Sequence, residues 1–70
     1  MMPLTFATAG EENIIKKVGG KTDVRSHLEN LGFVPGEQIV VVSRIGGNLI
    51  VNVKGSRVAL SSELAKHITV

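Results

Sequence analysis

The chain has 70 residues, enough for one small domain that hides about 60% of the surface its unfolded form exposes, with no room for a second module. It contains no cysteine, which excludes disulfides, thiolate zinc sites, iron–sulfur clusters and thiol nucleophiles; Phe6 and Phe33 are its only aromatics, too few for a base-stacking surface or an aromatic peptide groove. Eight Lys and Arg against six Asp and Glu leave +2, and the cations are spread from Lys16 to Lys66 with Lys16-Lys17 the single adjacent pair, so nucleic acid is not an expected partner.

Met1 to Gly10 has neither a basic n-region nor an apolar h-region, and no secretory signal is predicted. The longest aliphatic run, Ile39 to Val42, is far short of the roughly 20 residues a membrane span needs. A cytoplasmic protein with no direct membrane insertion is expected.

Short apolar runs punctuated by glycine point to strands and turns rather than a helical bundle. The first strand is predicted at Glu12 to Val18. Ile15 and Val18 differ there in parity, so either both faces are partly covered or a bulge shifts the register. Over Thr22 to Leu31 the period becomes helical, with Val24, Leu28 and Leu31 at i, i+4 and i+7. Thr22 is the predicted N-cap, Asp23 complements the helix dipole, and Gly32 supplies the left-handed residue of a Schellman ending that folds Phe33 back onto Leu28.

Val34-Pro35-Gly36-Glu37 has the chemistry of a type II turn, with Pro presetting φ and Gly accepting a positive one. Gln38 to Ile45 and Asn48 to Lys54 then form a hairpin around Gly46-Gly47, and Lys54-Gly55 turns the chain into Ser56 to Leu60. Val58 and Leu60 are predicted to face inward and Arg57 outward. Ser61 or Ser62 caps a helical turn over Glu63 to Lys66, and His67 to Val70 forms a last short strand. The predicted fold is mainly β: one domain over 1–70, a small five-stranded SH3-like barrel with an α-helix after the first strand and a helical turn before the last. An OB-fold ranks lower because its helix lies between the third and fourth strands.

Few constellations could carry chemistry. Asp23 and His27 are four apart on the helix with Asn30 nearby, but two ligands do not make a metal site, and His67 has no carboxylate at ligand spacing. No metal or cofactor is therefore predicted, with Asp23 and His27 the only metal candidates. Gly19-Gly20-Lys21-Thr22 matches the end of a phosphate loop, yet Ile15 stands where its first glycine is required. No catalytic grouping is visible, and the chain is predicted not to be an enzyme. What remains is surface: Leu28 through Gly36 joins an apolar helix face to a rigid Pro-Gly turn and could present Leu28, Leu31, Phe33 and Val34 to a partner. Exposed edge strands offer a second contact, by β-augmentation or weak homo-oligomerisation.

Ala9-Gly10-Glu11, Gly19-Gly20, Arg25 through Gly36 and Val53 through Leu60 together resemble the FeoA family of small ferrous iron transport accessory proteins, over about residues 3 to 70. The L-x-x-L-G-x-x-P-G element is the most specific part. The resemblance implies an SH3-like fold and a cytoplasmic protein that binds the cytosolic GTPase part of the FeoB ferrous iron permease and modulates transport. The module is also similar to the C-terminal domain of iron-dependent repressors, which implies as the alternative a transition-metal-binding or metal-sensing role; no helix-turn-helix accompanies it here. Leu28, Leu31, Gly32, Pro35 and Gly36 match the family element, and Arg57, Ala59 and Leu60 match its later strand. The predicted partner surface is Leu28, Leu31, Gly32, Phe33, Val34, Pro35, Gly36 and Arg57. No ligand set comes with the resemblance, so any role in iron handling is expected to be indirect.

Overall fold

The structure, a computed structural model, describes residues 1–70. In chain order it comprises a 3-10 turn at Leu4–Phe6, β1 (Glu12–Ile14), β2 (Lys17–Val18), α1 (Thr22–Asn30), β3 (Gln38–Ile45), β4 (Asn48–Val53), β5 (Ser56–Ser61), α2 (Ser62–Ala65) and β6 (Ile68–Thr69). Strands β1-β3-β4-β5 form an antiparallel sheet and β2-β6 a separate two-stranded ribbon. Fifteen buried residues, all apolar, make one core cluster between them and under α1.

Alternation in β3, β4 and β5 builds the larger sheet. Ile39 pairs with Val53, Val41 with Val51, and Leu49 with Leu60, so each rung places two buried aliphatic side chains on the inner face. Lys54 (φ 51) and Gly55 (φ 74) close the second hairpin with both central residues left-handed, as a type I′ turn requires. In β3 the register slips between Val41 and Ser43, leaving Val42 unpaired and 36% exposed. This bulge inverts the parity of the rest of the strand, so Arg44 lies opposite buried Leu49 and turns to the inner side. Its guanidinium donates to the carbonyls of Thr5 (3.1 Å) and Ala7, tying down the 3-10 turn that delivers Leu4 and Ala7 to the core.

The predicted first strand divides in two. Glu12–Ile14 pairs with β3, whereas Lys17–Val18 pairs with β6. Between them Ile15 donates to the Glu37 carbonyl (2.9 Å) and accepts from Gly36 (2.8 Å). The change of sheet resolves the parity conflict: Ile14 is half exposed while Ile15 and Val18 are both buried. Counted as one bent segment, β1 and β2 give the predicted five strands of the SH3-like class. No backbone ladder joins β5 to β6, so the two sheets leave the barrel open there.

Helix α1 begins one residue earlier in its capping than predicted. Lys21 is the N-cap, because its carbonyl already accepts the Arg25 N–H (2.9 Å), and Thr22 is the first helical residue. The predicted C-terminus forms as expected: Phe33 donates to Leu28 (3.0 Å) and Gly32 to Glu29 (3.0 Å) around Gly32 at φ +104, the two bonds of a Schellman motif. Ser61 caps α2 by accepting from the Leu64 N–H at 3.3 Å. At the end of the chain Val70 and Met2 exchange reciprocal backbone bonds of 2.8 and 2.9 Å.

Candidate functional site

The C-terminal end of α1 and the turn after it form the candidate contact surface. Leu28 and Phe33 lock it from below. Both are fully buried, and burying two such side chains contributes about 1.5–3 kcal/mol each. They therefore offer a partner no surface, which corrects their assignment as contact residues: they position the element. The reason is the Schellman closure, which brings C″ onto C3 and drives both side chains into the sheet.

What the lock leaves outside is Leu31, 38% exposed, with half-buried Val34 and exposed Pro35 and Gly36. The turn is rigid. Glu37 donates to the Val34 carbonyl at 3.1 Å with Gly36 at φ +93, the geometry of a type II turn with Pro35 at its second position. Gly32 is half-buried, and a Cβ built on it would stand 3.6 Å from Lys54 Cδ and 3.8 Å from Val53 Cγ1, so the helix end rests on the β4–β5 hairpin. Arg57 is exposed on the outer sheet face, in register with Asn52.

The polar candidates do not converge. The Asp23 carboxylate accepts from the Val24 N–H (2.9 Å) at the start of α1, and His27 is exposed one turn on. No three His, Asp or Glu side chains come together anywhere in the molecule. Gly20 leads into α1 at φ +93, with Val24 Cγ1 and His67 Nδ1 each 3.3 Å from a Cβ built there.

The fold also creates a second surface that helical spacing and motif matching do not reveal. Outward-facing Glu12, Gln38, Val40 and Asn52 of β1, β3 and β4, with Glu37 and Lys54 from the adjoining turns, line a shallow concavity of about 490 Å³. Two pairs brace it: Gln38 donates to Glu12, and Lys54 lies 3.8 Å from Glu37. Beyond it the outer face carries exposed Val42 and Ile45, hidden in the sequence by the inward-facing alternation of the same strand. Outward parity along β3 is an available signal for Val42 alone; Ile45 shares the parity of buried Ile39 and Val41 and turns outward only because of the bulge.

The FeoA domain family model matches residues 2–70, the whole of this fold. The chain belongs to the FeoA family. A protein of Methanocaldococcus jannaschii provisionally named Fe(2+) transport protein A is 36% identical over 70 residues, covering 100% of this chain and 85% of its own. A crystal structure of the iron uptake regulatory protein FeoA superposes with a TM-score of 0.87 at 30% identity, over 96% of this chain and 89% of that one. FeoA of Stenotrophomonas maltophilia, solved in complex with zinc and described as a prokaryotic SH3 domain protein, matches with a TM-score of 0.85 at 27% identity over 99% and 88%. In FeoA terms, the L-x-x-L-G-x-x-P-G element is the end of α1 and its turn, read through the fold as one buried leucine, one exposed leucine, a left-handed glycine and a rigid turn.

Proposed function

We propose that this FeoA protein is a non-enzymatic accessory of ferrous iron uptake that acts in the cytoplasm by docking on the cytosolic GTPase part of the FeoB permease and modulating transport. Family membership and the iron-transport name of the Methanocaldococcus relative support the pathway. The observation that carries the docking surface is the division of labour at the helix end, where buried Leu28 and Phe33 hold Leu31, Val34 and Pro35 in a fixed, outward, apolar array. A rigid apolar patch loses little conformational entropy on binding, which favours it as an anchor.

Leu31→Glu tests the proposal. The side chain is partly exposed, so the fold tolerates a carboxylate there, while an apolar contact would not. Calorimetric affinity for the isolated GTPase part of the permease is expected to fall at least tenfold, with His27→Ala unchanged. A folded Leu31→Glu protein that binds as tightly as wild type would remove the helix end from the interface.

A further inference from the structure

Strand β5 is an edge, and it is not protected as edges usually are. Its six residues pair with β4 on one side and with nothing on the other. The Ser62 N–H donates to the Gly47 carbonyl (2.9 Å), which fixes the phase of the ladder: Ser56, Val58 and Leu60 direct their backbone groups to β4, and Arg57, Ala59 and Ser61 direct theirs away. No other strand pairs with the outward groups of Arg57 and Ala59, and the Ser61 N–H is likewise unladdered, while the Ser61 carbonyl begins α2 as its N-cap.

Soluble proteins blunt such an edge with lysines, proline, a bulge, extreme shortness or a covering element. β5 has no lysine, no proline and no register shift, and Arg57 is its one charge. The opposite edge contrasts with it, since β1 is three residues long and Glu11-Glu12 stands at its start.

We infer that β5 pairs with β5 of a second copy of this chain, antiparallel about a twofold axis at Ala59, so that two four-stranded sheets become one of eight. The charge pattern singles out this occupant. With Ala59 on the axis, Arg57 lies opposite Ser61 of the second copy and no like charges face each other. The two arginines stand about four residues apart along the strands, roughly 13 Å, beyond the screening length at physiological salt. Arg57 with Ser61, Ala59 with Ala59, and Ser61 with Arg57 exchange six backbone bonds, the two that end on Ser61 carbonyls sharing that oxygen with the start of α2, whereas moving the axis to Val58 forms only four and brings the two arginines to within two residues of each other. Val58 and Leu60 fall on the inner face, so half-buried Val58 gains Leu60 of the second copy as a cross-strand neighbour. On the outer face two small Ala59 side chains meet, flanked by Ile50, which pairs with Ala59 in each chain. Of the predicted partner surface the pairing uses only Arg57, and that through its backbone; Leu31, Val34 and Pro35, which carry the docking proposal, lie outside it, so either can fail without the other.

Ala59→Pro is the decisive variant. The Ala59 N–H makes no bond within the chain, so proline, tolerated on an edge whose N–H faces solvent, leaves the β4–β5 ladder whole while removing two of the six intermolecular bonds. Sedimentation velocity across a concentration series is expected to show a reversible wild-type dimer, with self-association at least tenfold weaker in Ala59→Pro. Ala59→Lys, which puts like charges directly opposite on the axis, is expected to weaken it similarly. In wild type, exchange of the Arg57, Ala59 and Ser61 amides is expected to slow as concentration rises. A wild-type protein that stays monomeric to millimolar concentration, or a dimer unaffected by both variants, overturns the inference. A monomer whose Ala59→Pro variant loses affinity for the permease part overturns it too, and gives the edge to a strand of the permease instead.

Discussion

A single residue decides the geometry of the helix end. Gly32 sits at φ +104, a region that costs an L side chain about 1–2 kcal/mol, while the space around it would accept a methyl group in ordinary contact with Lys54 and Val53. The cost of Gly32→Ala is therefore backbone strain alone. Gly47 supplies the control, since its φ is not left-handed and nothing lies within 4 Å of a Cβ built there. Urea unfolding is expected to show Gly32→Ala less stable by about 1–2 kcal/mol and Gly47→Ala within about 0.5 kcal/mol of wild type. Equal losses in the two variants would mean that the Schellman closure is not what holds Leu28 and Phe33 together.

Among the elements, α2 is the shortest helix and depends most on its cap. Four residues cannot sustain a helix by propagation, so the bond from the Leu64 N–H to the Ser61 hydroxyl and the burial of Ala65 hold it. Ser61→Ala is expected to cost about 1 kcal/mol in thermal or urea unfolding and to speed amide exchange at Leu64. An unchanged Leu64 rate would show that packing alone maintains the turn. The elements also differ in how plainly the sequence states them. Gln38 to Ile45 and the Lys54-Gly55 turn are legible because alternation and left-handed turn residues are local signals. The bend at Ile15 is not, because it depends on which of two sheets each half finds. The bulge at Val42 hides inside an unbroken aliphatic run, and with it hides the inward turn of Arg44. The 3-10 turn at Leu4–Phe6 is too short to show any period. For the candidate site, helical spacing correctly groups Val24, Leu28 and Leu31, but it cannot say how far the covering sheet reaches; Leu28 ends beneath it and Leu31 at its margin.

At the scale of the whole molecule, the two sheets share one segment of chain, and the core lies where that segment crosses between them. A core drawn from 15 residues leaves little reserve, so contacts that fasten the periphery matter. Arg44 is one such fastening and the Met2–Val70 exchange is another. The latter places residues 2 and 70 side by side, which makes the polypeptide nearly a loop in space. Its ends could be ligated through a few glycines and the circle reopened at Gly46-Gly47, where both residues are exposed and no Cβ would meet a neighbour. Such a permuted chain is expected to reproduce the wild-type dispersion of core methyl resonances and to melt within a few degrees of the parent. Failure to fold would mean that the β3–β4 hairpin must close early for the rest to assemble. Success would make this a topology in which the order of segments along the polypeptide is incidental, and the arrangement of neighbours carries the fold.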